Sequence, residues 1–178
     1  MKKAVLALAT IGLLAAACKI PEMGSADTSP SPLWDRVYDV NQSMTVDGLT
    51  VTVLRAAIGD PARLWSELPT SDWEGAKAAV AFKLRLTNNT GETIAIYPGF
   101  DSIAAMNGEQ SETDFWLNDD IDGDILGGFS VEGALIAPSM RYVPGAITSI
   151  RLVFDGPNWD SESFDFRVDL GSAAQGAD

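Results

Sequence analysis

The segment 118–124 has the residue types and the spacing to bind a hard cation. Its sequence is Asn-Asp-Asp-Ile-Asp-Gly-Asp, and side-chain oxygens gathered by a tight Gly turn are what Ca²⁺ prefers. The candidate ligands are Asn118, Asp120, Asp122 and Asp124. At position 12 of the calcium-loop pattern stands Phe129, where a bidentate Glu belongs. The alternatives are a calcium-stabilised surface loop and a solvated acidic loop, and Ca²⁺ is the one cofactor that the sequence suggests.

The same segment lies within a long acidic stretch. Residues 86–140 contain no Lys or Arg and ten Asp or Glu. We therefore expect an acidic interaction surface, with one Trp as its apolar anchor, for a protein or envelope-glycan partner. Its candidate residues are Trp116, Asp119, Asp120, Asp122 and Asp124.

Composition argues against most catalytic chemistry. The 178-residue chain has no His and one Cys, so Ser-His-Asp triads, Cys-His pairs and Cys-cluster zinc sites are all excluded. A net charge of −13 argues against nucleic acid, because phosphates require Lys and Arg. No catalytic residues are predicted and the protein is not expected to be an enzyme. The alternative from another class is an envelope glycoside hydrolase that uses paired carboxylates.

The N-terminus has the features of an export signal. Lys2 and Lys3 precede an uncharged run from Ala4 to Ala17, which is too short for a transmembrane helix. The sequence Leu-Ala-Ala-Ala-Cys that ends at Cys18 resembles a bacterial lipobox. That resemblance implies cleavage before Cys18 and lipidation of its sulfur. A plain secretory signal that leaves a free thiol is the alternative.

Lipidation at Cys18 would make the protein an extracytoplasmic lipoprotein, attached to the cell membrane by its acyl chains. Loss of residues 1–17 leaves 10 basic against 25 acidic residues, a net charge of about −15. Residues 18–33 are small, polar and rich in Pro, as in a flexible tether. We expect the folded domain to span residues 34–171 and residues 172–178 to form a disordered tail.

Apolar residues alternate with polar ones in several segments after Trp34. The pattern occurs at 49–53, 80–87, 150–155 and 164–170. Alternation places one face of a strand in a core and the other in water, as in antiparallel sheets. Asp47-Gly48 indicates a hairpin, and Asn88 to Gly91 and Pro144-Gly145 indicate further turns. The sequence therefore predicts an all-β fold, an antiparallel β-sandwich.

One segment has helical signals instead. Asp60 can cap a helix, Pro61 suits its first turn and Pro69 would end it, so we expect a short helix at about 61–68. Leu64 and Leu68 would face the sandwich. The five Trp either stack on a ligand or cover the ends of the sandwich, and the sequence leaves both interpretations open.

Four segments resemble a known family. They are the hairpin Val46–Val53, the strand and Asn-Asn-Thr-Gly turn of 82–91, Pro144-Gly145 with the strand 150–154, and the last strand 164–168. Together they resemble the immunoglobulin-like domain of unknown function on lipoproteins of Gram-positive bacteria, especially actinobacteria. That family is grouped with a secreted mycobacterial immunogenic protein.

The resemblance implies an immunoglobulin-like sandwich outside the cell and supplies no catalytic residues. The chain departs from the family pattern between Gln110 and Pro138, where the strands are hard to align. The predicted function is thus a membrane-tethered binding or interaction module of unknown ligand.

Overall fold

Ten strands make up most of the chain that the computed structural model describes, which is residues 33–64, 73–114, 117–118, 121–158 and 161–171. They are β1 (Arg36–Val46), β2 (Leu49–Gly59), β3 (Ala78–Asn88), β4 (Ile94–Ile96), β5 (Ile103–Met106), β6 (Glu109–Glu112), β7 (Gly123–Ile125), β8 (Ser130–Ser139), β9 (Ser149–Phe154) and β10 (Phe164–Asp169). Between them lie α1 (Pro61–Leu64), α2 (Pro98–Asp101) and a 3₁₀ turn at Pro144–Ala146. Within these described ranges, no helix is long and apolar enough to cross a membrane.

Two four-stranded sheets form the body of the fold. One has the order β1-β2-β3-β8 and the other β10-β9-β5-β6, while β4 and β7 form a separate pair. Every neighbouring pair is antiparallel. This arrangement confirms the predicted antiparallel β-sandwich.

The main core lies between the two sheets. Leu49, Val51 and Val53 of β2 are fully buried there, as their alternation predicts. From the other sheet, Phe154 and Phe164 contribute rings whose centroids are 5.1 Å apart. Burial of each such side chain stabilises the fold by about 1.5–3 kcal/mol, so these rows hold the sheets together.

Tight turns set the register of the hairpins. Asp47 and Gly48 have φ of 47° and 81°, and they join β1 to β2 as a two-residue loop. Asn107 and Gly108 do the same between β5 and β6, with φ of 49° and 88°. Two successive positive φ angles match the right-handed twist of the strands, and Asp, Asn and Gly adopt them at the lowest cost. The predicted Asp47-Gly48 hairpin is confirmed.

A second, smaller core covers part of the outer face of the first sheet. Trp34 and Trp73 are 1% and 0% exposed, and they pack with Ala57, Ala81 and Ile136. The expectation that the Ala81 side of β3 faces water is therefore wrong at this position. Small outward-facing alanines leave room for the large indole rings, which exclude water from that face.

Strand β8 was not predicted, since the stretch between Gln110 and Pro138 shows no clear alternation. Ala134, Leu135, Ile136 and Ala137 are all buried. Leu135 and Ala137 belong to the main core, whereas Ala134 and Ile136 lie on the opposite side of the strand. A strand buried on both faces has no polar side, and so it loses the pattern that identifies strands.

The predicted helix near 61–68 begins as expected. The Asp60 carboxylate accepts a hydrogen bond from the Ala62 N–H (2.9 Å), which confirms it as the cap of α1. Leu64 is buried in the second core. Residues 65–68 lie outside the described chain, as do the predicted leader at 1–17, Cys18, the tether up to residue 32 and the tail at 172–178.

Candidate ligand-binding groove

A groove of about 250 Å³ lies between the β4–α2 segment and the loop that joins β9 to β10. Its lining consists of Ala95, Ile96, Tyr97, Asp101, Asp155, Gly156, Pro157 and Asn158. The two sides come from different parts of the chain, and one of them lies directly after β9. The groove therefore exists only in the folded sandwich.

An exposed aromatic pair stands at one side of this groove, which is called the distal groove below. Tyr97, which lines it, is 51% exposed, and Phe100 is 62% exposed. Their ring centroids are 6.4 Å apart at an interplanar angle of 69°, an edge-to-face contact. Exposed aromatic rings held in a fixed geometry are typical of surfaces that bind a ligand or partner.

Helix α2, which carries Phe100, is held in place by the predicted acidic segment. The Asp122 carboxylate accepts a hydrogen bond from the Gly99 N–H (2.7 Å). A Cβ at position 99 would clash with an Asp122 carboxylate oxygen, so a larger residue there would displace that carboxylate. Asn118 accepts from the Ile136 N–H (2.9 Å), which ties the same segment to β8. Asn118 and Asp122 thus each use a side-chain oxygen to accept a backbone hydrogen bond, from β8 and from α2 respectively.

Two carboxylates give the distal groove its charge. Asp101 and Asp155 both line it and both are exposed, and no Lys or Arg is among the lining residues that the structure describes. The Ser163 hydroxyl donates to Asp155 (3.2 Å), and no ion pair engages either carboxylate within the described ranges. Asp124 is the cross-strand partner of Ala95 and is exposed, so it adds negative charge at the edge.

The loop after β9 is held against the β1–β2 hairpin. The Asp47 carboxylate accepts hydrogen bonds from the Ser161 hydroxyl and from the Asn158 amide (3.3 Å). The bond from Ser161, followed by the one from Asn158, holds the pKa of Asp47 below its usual range. A Cβ at Gly156 would lie 2.6 Å from the Glu162 carbonyl oxygen, so the loop folds back closely on itself. These contacts position the Asn158 side of the groove.

The predicted calcium ligands are only partly described. Asn118 and Asp122 bind backbone as above, Asp124 is exposed on β7, and Asp120 lies outside the described residues. Among the residues that the structure places, no group of three or more metal-ligating side chains occurs. Calcium binding at 118–124 stays a prediction.

The predicted interaction surface is likewise partly described. Trp116, Asp119 and Asp120 lie outside the described chain. Asp122 contacts the helix that carries Phe100, and Asp124 lies at the edge of the distal groove. The two described members therefore adjoin a groove whose other residues the sequence reasoning did not select.

Other acids of the 86–140 stretch have structural partners. Glu132 pairs with Arg85 (2.7 Å) and lies 3.9 Å from Lys83, both on the neighbouring strand β3. Glu109 accepts hydrogen bonds from the Ser139 hydroxyl (2.7 Å) and from the backbone N–H groups of Met140 and Arg141. Some acids of this stretch, which have no basic neighbours in the sequence, therefore have cations or hydrogen-bond donors next to them in the folded chain.

The Trp residues that the structure describes do not form a binding surface. Trp34 and Trp73 are buried, and the Trp73 indole N–H donates to Asp114 (2.6 Å). Trp65, Trp116 and Trp159 lie outside the described residues. The described rings cover an outer face of the sheet rather than an end of the sandwich.

Sequence reasoning missed the aromatic side of the distal groove. Tyr97 and Phe100 flank Pro98-Gly99, a dipeptide that in a sequence indicates only a turn. The structure instead begins helix α2 at Pro98. Two aromatics around a Pro-Gly pair outside any alternating strand were the available signal, because neither has a place in the period-two pattern.

Comparison with known proteins finds likeness of fold. No protein-family model matches the sequence, and no curated protein matches it. A functionally unknown protein from Listeria monocytogenes EGD-e is similar in structure, with a TM-score of 0.58, 8% identity, and coverage of 77% of this chain and 86% of that one. YcdA, a candidate lipoprotein from Bacillus subtilis strain 168, has a TM-score of 0.55 and 12% identity, and the match covers 73% of this chain.

These two structures are similar to this chain in fold, and the immunoglobulin-like assignment stays a prediction. The chain spans 39% of the length of YcdA. At these identities the likeness concerns the fold alone, and the narrower actinobacterial grouping stays a prediction.

Proposed function

We propose that this protein is a membrane-tethered extracytoplasmic lipoprotein whose sandwich binds a partner in the distal groove. The observation that carries the proposal is the exposed Tyr97–Phe100 pair beside a groove lined by two carboxylates. The lipobox-like sequence at Cys18 and the likeness to a candidate lipoprotein support the tether.

The position of the groove suits a tethered module. The described chain begins at Leu33, beside Gly59 at the end of β2, whereas the groove adjoins the Asp47 hairpin at the opposite end of β1. The 11 residues of β1 separate these ends by roughly 35 Å. A chain anchored through Cys18 would therefore present the groove away from the membrane.

The chemistry of the groove favours a cationic group on the partner. Asp101 and Asp155 attract positive charge, and the net charge of −13 extends that field over the surface. An ammonium or guanidinium group over the face of Tyr97 would add a cation–π contact. We therefore propose that the partner is a protein or peptide that inserts a Lys or Arg side chain.

Titration of the full chain with a tetralysine peptide, in neutral detergent, tests this proposal. The double substitution Asp101→Asn and Asp155→Asn is expected to weaken binding about tenfold, since two exposed charged contacts together contribute about 1.4 kcal/mol. Added salt should weaken binding to the wild type more than to the variant. Phe129→Ala is the matched control, because Phe129 is 63% exposed and lies outside the groove.

Equal affinity of the wild type and the double variant would refute a cation site. Binding of a neutral oligosaccharide that is lost in Tyr97→Ala but kept in the double variant would assign the groove to glycan instead.

A second candidate function is glycoside hydrolysis, because two carboxylates line the same groove. The measurement is release of reducing sugar from purified cell wall. Hydrolysis that is lost in Asp155→Asn would favour the enzyme over the binding module. Release at the level of the enzyme-free control would leave binding as the function.

A further inference from the structure

A second groove, of about 490 Å³, lies at the end of the sandwich where the chain enters. Its lining consists of Asp35, Arg36, Asp60, Arg63, Lys77, Val143, Pro144 and Gly145. Three cations and two carboxylates line this proximal groove, in a protein whose net charge is −13. The local charge therefore opposes that of the molecule as a whole.

Each carboxylate of the proximal groove accepts a hydrogen bond, although Oδ2 of Asp35 is buried and has no hydrogen-bond partner in the described chain. Asp35 accepts a hydrogen bond from the Arg63 guanidinium, an ion pair that neutralises one cation. Asp60 accepts the Ala62 N–H as the cap of α1. Arg36 and Lys77 are the lining cations that remain.

The Arg36 guanidinium is held without a carboxylate. Its Nη2 donates to the carbonyl oxygens of Pro144 and Ile147 (2.8 Å to the latter), and the group lies 5.8 Å from the centroid of the Tyr38 ring. Nε and Nη1 are buried with no hydrogen-bond partner in the described chain. A buried cation with unmatched N–H groups is costly unless a negative charge lies nearby.

Lys77 supplies the second unmatched charge. Its backbone N–H donates to the Ser139 carbonyl oxygen (2.7 Å), which fixes its position at the start of β3. Its side chain is exposed, and within the described ranges its ammonium group makes no ion pair. It can therefore donate to a ligand in the groove while Arg36 acts through its field.

We propose that the proximal groove binds a phosphate group. Three cations against two carboxylates leave the proximal groove a net charge of about +1, and a phosphate group, with three acceptor oxygens, offers Lys77 more hydrogen-bond acceptors than a carboxylate does. Lys77 donates to the phosphate oxygens, and Arg36 stabilises the anion electrostatically. This proposal is independent of the distal groove, because the two sites share no residue.

Calorimetric titration of the full chain in neutral detergent with inorganic phosphate, at constant ionic strength, tests the site. Lys77→Met is expected to weaken binding about tenfold, as for loss of a charged hydrogen bond. Lys83→Met is the matched control, because Lys83 lies on β3, the strand that follows Lys77, and outside the groove. Acetate should bind more weakly than phosphate. Because Arg36→Met could impair folding, the test depends on Lys77.

Phosphate binding with the same affinity in wild type and Lys77→Met, or no binding heat in wild type, would overturn the proposal. A second titration in micelles that contain phosphatidylglycerol identifies the source of the phosphate. Loss of the phosphate heat there, restored in phosphatidylcholine micelles, would assign the site to anionic lipid headgroups. An unchanged heat would assign it to soluble or polymer-borne phosphate.

Discussion

Replacement of Asn88 by Ala should be among the most damaging single changes at the groove end of the sandwich. Asn88 is fully buried at the end of β3, and all its side-chain polar atoms are used. Its amide donates to the carbonyl oxygens of Glu92 (2.7 Å) and Ile125 (2.8 Å). Its oxygen accepts from the N–H (2.9 Å) and hydroxyl (2.7 Å) of Thr90. One side chain thus joins β3, the following turn and β7.

The magnitude follows from the groups that lose their partner. Each of four hydrogen bonds contributes about 1 kcal/mol net. After truncation the exposed Glu92 can find water, whereas the carbonyl of Ile125, a residue only 3% exposed, cannot do so easily. We therefore expect Asn88→Ala to lower the free energy of unfolding by about 3 kcal/mol. The melting temperature should fall by roughly 6–12 °C for a domain of this size.

The matched control is the next residue. Asn89 is exposed, although its amide also donates to Gly48 and Thr50. Asn89→Ala should therefore cost less than about 1 kcal/mol. Urea unfolding followed by Trp fluorescence reports on both variants, because Trp34 and Trp73 are buried. Equal midpoints for the two variants would refute the reasoning, since burial would then not decide the cost of an unmatched polar group.

Three further predictions concern the acids of the fold. Glu109→Gln should lower the free energy of unfolding by about 2 kcal/mol, because a carboxylate there accepts from a hydroxyl and two backbone N–H groups; an unchanged urea midpoint would contradict this. The hydrogen bonds from Arg151 hold the pKa of Asp165 below its usual range, so the pair stabilises the fold at neutral pH and loses that contribution as acid protonates Asp165. Asp165→Asn should therefore cost under about 1 kcal/mol at pH 7 and converge with wild type as the pH falls below the lowered pKa of Asp165 in melting experiments, whereas a constant difference would argue against the linkage. The predicted calcium loop requires that millimolar Ca²⁺ raise the melting temperature and that Asp122→Asn abolish the rise; an unchanged melting temperature of the wild type would contradict calcium binding there.

The strands that the sequence predicted share one property, which is that one face is apolar and the other polar. Leu49, Val51 and Val53 are buried as their alternation requires. The unpredicted β8 is buried on both faces because the second core covers its outer side. That cover comes in part from Trp34 and Trp73, which are distant from β8 in sequence, and a local pattern carries no information about them.

The candidate site was harder to predict because its residues come from separate segments. Tyr97 and Asp101 belong to one wall of the distal groove, and Asp155 and Asn158 belong to the other. Asp122 and Asp124, selected for their charge, lie beside the groove, and Asp122 supports helix α2. The density of acidic residues in the sequence therefore indicated the region next to the distal groove. Its aromatic wall could be identified only from the folded chain.

By itself the sequence determined the antiparallel sandwich, the Asp47-Gly48 hairpin and the cap at Asp60, because side-chain periodicity, turn geometry and helix capping are local properties. Only the tertiary structure decided which charges remain unmatched. Glu132, isolated along the chain, meets Arg85 on the neighbouring strand, while Arg36 forms no ion pair within the described chain. Pairing of charges depends on distance in space, and strand order brings together residues that the sequence separates.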